Sequence, residues 1–162
     1  LRNPSQGAAM KCFFDSSALV KRYVAEEGRD TVNSLIEEAS LVTVSRLAYT
    51  EVFSALMRRR SAFTAGDTEF ATRIEEFRDD WRAFAVFYMN EDALGEVNRV
   101  IEIYRLRGAD SIHLSTALWI RKALSPDIVF VASDRELLAA ARKERFKVIN
   151  PQESMPTGAV KR

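Results

Sequence analysis

Two short apolar runs, each stopping at an aspartate, leave this chain little choice of architecture. Ile128–Ala132 is unbroken and leads into Ser133-Asp134, and Lys11–Phe14 leads into Asp15 with Ser16-Ser17 next. Neither run alternates apolar with polar residues, so each reads as a strand buried on both faces, the hallmark of a parallel sheet covered by helices. Each is followed by helical spacing: Ala18-Leu19-Val20, Tyr23 and Val24 after the first, Arg135–Glu144 after the second. Leu41–Val44, Ala85–Met89 and Phe146–Ile149 supply three further strand-like runs. Between them the pattern predicts a helix capped by Asp30, one over Arg46–Arg60, a long amphipathic segment from Gly66-Asp67 to Phe84, one opened by Asn90 and ending near Gly108, and one over Asp110–Leu124. Strands alternating with helices define an α/β class, here a three-layer α/β/α domain with a parallel sheet of about five strands.

The chain of 162 residues fits one domain. Residues 10–151 are expected to form it, with 1–9 a cloning remnant or disordered leader ahead of Met10 and 152–162 a disordered tail. No run approaches the roughly 18 apolar residues of a membrane span and no signal-peptide pattern opens the chain, so a cytoplasmic protein is expected. The single cysteine, Cys12, lies in an apolar run and reads as a buried, inert thiol. A net charge of +1 leaves partners open, since nucleic-acid binding depends on where charges sit. Arg58-Arg59-Arg60, Arg46 and Lys21-Arg22 are local basic clusters, each of which also reads as a solvated helix face.

In open parallel sheets, sites collect beyond the carboxyl ends of the strands. Asp15 and Asp134 stand there, Asp110 begins a helix, and Glu51 lies one turn inside the helix after the second strand. Each also has an ordinary structural reading: Asp110 and Asp134 as helix caps or first-turn acids, Glu51 as part of a solvated face. Asp15 is hardest to explain that way. Clustered carboxylates repel and are neutralised by a cation, and hard divalent ions take oxygen ligands. With no cysteine–histidine set for zinc, the chemistry that fits is metal-assisted phosphodiester hydrolysis.

Phe13-Phe-Asp-Ser-Ser-Ala-Leu-Val-Lys-Arg-Tyr23, Tyr49-Thr-Glu-Val52, Leu106-Arg-Gly-Ala-Asp-Ser-Ile-His-Leu114 and Val131-Ala-Ser-Asp-Arg-Glu-Leu137, in that order, resemble the PIN-domain nucleases, and most of all the VapC toxins of VapBC toxin–antitoxin pairs. The resemblance runs from about Met10 to Pro151. It implies a PIN-like α/β/α fold and an endoribonuclease using Mg²⁺ or Mn²⁺, with Asp15, Glu51, Asp110 and Asp134 as the acidic quartet. Asp15 and Asp110 match direct metal ligands, whereas Asp134 and Glu51 match positions that complete the metal pocket, often through water. Ser17 matches a hydroxyl that supports the first aspartate. Ala132 stands where the family often has a hydroxyl, which shifts support of Asp134 to Ser133. Implied partners are RNA, a cognate antitoxin and a second copy in a homodimer, with Arg46, Arg58 and Arg59 as candidate phosphate contacts.

His113 shares a helix face with Asp110 and reads either as a catalytic base or, more simply, as a packed structural histidine. Trp81, Phe84, Phe87 and Tyr88 read as core or interface, with base stacking as the alternative. The polar segment Gly66–Phe84 looks long for the family and is expected to alter the substrate groove or dimer surface. Rival readings are a PIN nuclease of RNA maturation or DNA flap cleavage, and a receiver-like signalling module. The latter lacks its expected lysine and acidic pair, since Asp134-Arg135 and Asp15-Ser16 occupy those places.

Overall fold

The apolar runs form one parallel sheet in the computed structural model, which describes residues 10–153; the leader 1–9 and the tail from 154 lie outside the described residues. β1 (Lys11–Phe14), β2 (Leu41–Ser45), β3 (Ala85–Phe87), β4 (Val129–Val131) and β5 (Lys147–Ile149) are arranged in the order β3-β2-β1-β4-β5, every neighbouring pair parallel. β1 holds the centre, with Phe13 opposite Thr43 on one side and Phe130 on the other.

Because side chains alternate along a strand, the sheet feeds two cores. Cys12, Phe14, Val42, Val44, Val129 and Val131 belong to one, while Phe13 and Phe130 belong to the other. The first core is covered by α1 (Ser16–Leu19) with the 3-10 turn Val20–Arg22, α2 (Arg29–Glu38), α3 (Leu47–Arg58) and α4 (Asp67–Ala83). The second is covered by α5 (Glu91–Tyr104), α6 (Gly108–Ala123) and α7 (Arg135–Lys143). This is the expected three-layer α/β/α arrangement. Among the described residues no helix is long and apolar enough to cross a membrane.

The helix boundaries differ from the sequence pattern in instructive places. Gly28, not Asp30, caps α2: it stands at φ 91°, and a Cβ there would lie 2.9 Å from the Pro151 backbone, so only glycine fits. Asp30 instead sits in the first turn, where the helix dipole favours it. α3 ends at Arg58, followed by a separate 3-10 turn at Arg60–Ala62. α6 begins at Gly108, which places Asp110 in its first turn rather than at its cap.

The polar segment Gly66–Phe84 forms α4, one face of which is anchored in the core. It buries Phe70, Ile74, Phe77 and Trp81, spaced four, three and four apart, against the first core, and its charges pair with one another on the solvent side. Asp80 fixes it further, receiving Arg22 Nε–H at 2.5 Å and the buried Tyr23 hydroxyl at 2.9 Å. Trp81 and Phe84 are core, and Phe87 packs on Trp119 at 5.7 Å; of the four aromatics only Tyr88 is largely exposed.

Candidate active site

The chain builds the sheet outward from β1 through β2 to β3, then returns to add β4 and β5 on the other side. The reversal falls between β1 and β4, where the diverging connections open a crevice at the carboxyl edge. Asp15 follows β1 and Asp134 follows β4, so the two flank that crevice.

Asp15 is 2% exposed and firmly held. Its N–H donates to Val131 O at 2.9 Å, and its Oδ2 caps α1 by accepting from Ser17 N–H at 3.0 Å and from the Ser17 hydroxyl at 2.5 Å. Ser17 Oγ in turn accepts Ser133 N–H at 2.9 Å, bridging the crevice. The other carboxylate oxygen, Oδ1, is buried without a hydrogen-bond partner and faces His113 Nε2 at 3.5 Å.

Asp134 divides its two oxygens between structure and pocket: Oδ1 caps α7 by accepting Leu137 N–H at 2.8 Å, and Oδ2 faces Arg107 at 3.5 Å. Its capping and pocket-lining readings are therefore compatible. Asp110 receives Arg107 Nε–H on Oδ2 at 3.0 Å. Burial holds the Asp110 pKa above the ordinary carboxylate value; Arg107 opposes that shift, while the charges of Asp15 and Asp134 add to it. Glu51, in the second turn of α3, is hydrogen-bonded to His113 Nε2. His113 is wholly buried, which alone would lower its pKa, yet the carboxylates of Asp15 and Glu51 prevail and raise it.

The four acids singled out in the sequence thus come to one edge of the sheet through four different elements. Ser17 meets Asp15 directly. Ser133 contributes its N–H to that bridge, whereas its hydroxyl is buried without a partner. Arg46 lies on the same edge, its guanidinium 5.5 Å from the Tyr88 ring centre and 5.7 Å from that of Tyr49. Arg58 and Arg59 lie at the far end of α3, about 10 Å along the axis from Glu51 at 1.5 Å per residue. There Arg58 donates to Ser54 and Arg59 pairs with Glu26 at 3.0 Å.

Two participants were poorly signalled. Arg107 precedes Asp110 by three positions, but nothing in the sequence shows that it also reaches Asp134. His113 was flagged beside Asp110, while its contact with Glu51 spans 62 positions.

Among the described residues no three His, Cys, Asp or Glu groups close on one point as a finished metal cage. The donor set nevertheless suits a hard cation: Mg²⁺ uses few protein carboxylates and completes its shell with water and phosphate. An Asp15 Oδ1 without a hydrogen bond, and an Asp110 whose pKa is raised by burial and then by its acidic neighbours, are the features a cation would relieve.

A parallel α/β sheet with a buried aspartate at its reversal point and further acids around the crevice defines an α/β domain with an acidic edge pocket. The chain belongs to the PIN domain family, whose model matches residues 12–143. Two Mycobacterium tuberculosis proteins, Ribonuclease VapC45 and Ribonuclease VapC49, are each 29% identical to it over 140 residues, covering 86% of this chain and 95% of each relative. Among solved structures, a toxin–antitoxin complex from Klebsiella pneumoniae matches with a TM-score of 0.62 and 16% identity, over 87% of this chain and 98% of that one. FitAcB from Neisseria gonorrhoeae matches with a TM-score of 0.62 and 13% identity, over 86% and 97% of the two chains. PAE2754 from Pyrobaculum aerophilum gives 0.57 and 23%, over 82% and 85%. These likenesses establish a shared fold.

Proposed function

We propose that this protein is a divalent-metal-dependent endoribonuclease, the toxin of a toxin–antitoxin pair, acting on RNA in the cytoplasm. The observation that carries the reading is the buried Asp15 carboxylate at the sheet's reversal point, its Oδ1 without a hydrogen bond, with Asp110 and Asp134 beside it. The ribonuclease relatives, which this chain matches over most of its length, support the choice of substrate.

Asp15 and Asp110 would hold Mg²⁺ or Mn²⁺ directly, with Asp134 Oδ2 and Glu51 completing the pocket. When bound, the ion would draw in an RNA phosphate, acidify the attacking water and stabilise the leaving oxygen. The chain's own part is to hold the acids still. Ser17 fixes Asp15 through Oδ2 and leaves Oδ1 without a hydrogen bond, the α7 cap fixes Asp134 through Oδ1, and His113 holds Glu51 by a hydrogen bond. Arg46 with Tyr88 offers a cation and an exposed ring at the rim for a phosphate and an unstacked base. Arg58 and Arg59 would serve only RNA that extends along α3. The exposed apolar side chains Leu94, Ile101 and Ile103 of α5 would be covered by a cognate antitoxin or a second copy.

Incubating a mixed RNA pool with wild type and Asp15→Asn, in Mg²⁺, in Mn²⁺ and in EDTA, tests the reading. Cleavage that needs the metal and vanishes in the folded variant is expected. Cleavage indifferent to both refutes it.

A further inference from the structure

The two aspartates at the mouth of the acidic crevice are already engaged by a positive charge of the chain's own. Arg107 Nε–H donates to Asp110 Oδ2 at 3.0 Å, and Nη2 lies 3.5 Å from Asp134 Oδ2. One guanidinium therefore spans acids borne by α6 and by the cap of α7. Its side chain remains 77% exposed.

The position is a poor one for arginine on local grounds. Arg107 occupies the N-cap of α6, where it makes no side-chain capping bond and where its charge opposes the helix dipole. The caps of α1, α5 and α7 are Asp15, Asn90 and Asp134, each accepting a main-chain N–H, whereas those of α2, α3 and α4, Arg46 among them, make no side-chain capping bond. A residue that conflicts with its local setting marks a requirement imposed from elsewhere. What compensates it is the acid pair, with Glu136 adding a weaker attraction. The backbone is fixed, because Arg107 O accepts Ser111 N–H at 2.9 Å and the Ser111 hydroxyl at 3.0 Å, while the exposed side chain can turn about that anchor.

We propose that Arg107 is a displaceable counter-ion: it neutralises Asp110 and Asp134 in the empty pocket, yields them to a divalent ion, and then turns its guanidinium onto a phosphate of the RNA. An exposed ion pair is weak enough to be exchanged, and a doubly charged ion draws the same carboxylates more strongly. Arginine suits both states, since its planar fork fits carboxylate and phosphate alike. This accounts for an acid cluster that is not closed into a metal cage: the ion that would close it must first displace Arg107. The inference rests on the metal-dependent RNA-cleaving reading above.

The test sets two affinities against each other in wild type, Arg107→Ala and Arg107→Lys, with thermal melts confirming that each is folded. Mn²⁺ binding is measured by calorimetry, and binding of a labelled phosphorothioate oligoribonucleotide by anisotropy in saturating Mn²⁺. In Arg107→Ala, Mn²⁺ should bind roughly two- to fivefold tighter, the scale of an exposed ion pair removed. RNA should bind more weakly, with a salt-dependence slope reduced by about 1, as for one lost phosphate contact. Arg107→Lys, which keeps the charge without the fork, should stay near wild type for Mn²⁺ and fall between the two for RNA. Mn²⁺ affinity unchanged or weakened in Arg107→Ala, or RNA affinity unchanged, overturns the inference while leaving the nuclease reading standing. A wild type that binds no Mn²⁺ and cleaves no RNA overturns both.

Discussion

Replacing Ser17 by alanine removes one small hydroxyl and should cost far more than its size suggests. Its Oγ donates to Asp15 Oδ2 at 2.5 Å and accepts Ser133 N–H at 2.9 Å, so it joins the loop after β1 to the loop after β4. A hydrogen bond to a charged acceptor contributes about 1.5–3 kcal/mol, and a buried N–H left without a partner costs about 1–3 kcal/mol. The crevice is open at its mouth and water recovers part of this, which leaves a net loss of roughly 2–4 kcal/mol. For a domain of this size that corresponds to a fall in melting temperature of roughly 5–15 °C. Urea unfolding of wild type and Ser17→Ala, with equal m-values, reads the difference directly. Ser17→Thr, which keeps the hydroxyl, should recover most of it. A loss under about 0.5 kcal/mol, the ordinary scale of a surface substitution, would refute the claim that Ser17 clamps the crevice.

Phe77→Ala empties a fully buried site where Phe77, beside Trp81 of the same helix, packs on Tyr23 and Tyr49, and should cost about 3–5 kcal/mol in the same urea assay; a loss below about 1 kcal/mol would mean α4 is not part of the core. The metal-free protein should lose stability as pH rises above 6.5. His113, the sole histidine, has its pKa raised above the ordinary 6.5, so its contribution is complete below that value and disappears as pH climbs through the folded-state value. The raised Asp110 has the same sign at lower pH, where its protonation relieves the folded state. Melting in EDTA across this range should slope downward and flatten in His113→Gln; a rise would reverse the assignment. Cys12, buried with its pKa pushed up to about 12, should resist alkylation at pH 8 until the protein unfolds, and rapid native-state labelling would contradict that burial.

The central strands were legible because burial on both faces writes an unbroken apolar run, and because an acid at the end of such a run has few other reasons to be there. Their order was not, since nothing local in Phe13 records that it lies between Thr43 and Phe130. α4 was legible as an amphipathic helix, because Phe70, Ile74, Phe77 and Trp81 keep a regular stripe within a segment rich in charge. The carboxyl-edge rule draws Asp15, Glu51, Asp110 and Asp134 together, but Glu51, Asp110 and Asp134 each have an adequate structural role alone, and the likeness of four sequence blocks is what gives the quartet its weight. Arg107 and the His113–Glu51 contact escaped because they are products of tertiary geometry: one guanidinium reaching two helices, one imidazole reaching a helix 62 positions away.

The clamp between Ser17 and Ser133 joins residues 116 positions apart, and β1 gains its second neighbour only when β4 is available. A nascent chain folding as it leaves the ribosome can therefore pair β1 with β2 early, but must wait for the far side of the sheet before the crevice exists. Until then Ser17 lacks the Ser133 N–H and Asp15 lacks Asp134 beside it. A polypeptide stalled before β4 would carry three of the four acids and still lack the pocket, so the order of synthesis itself delays any activity until most of the domain has been made.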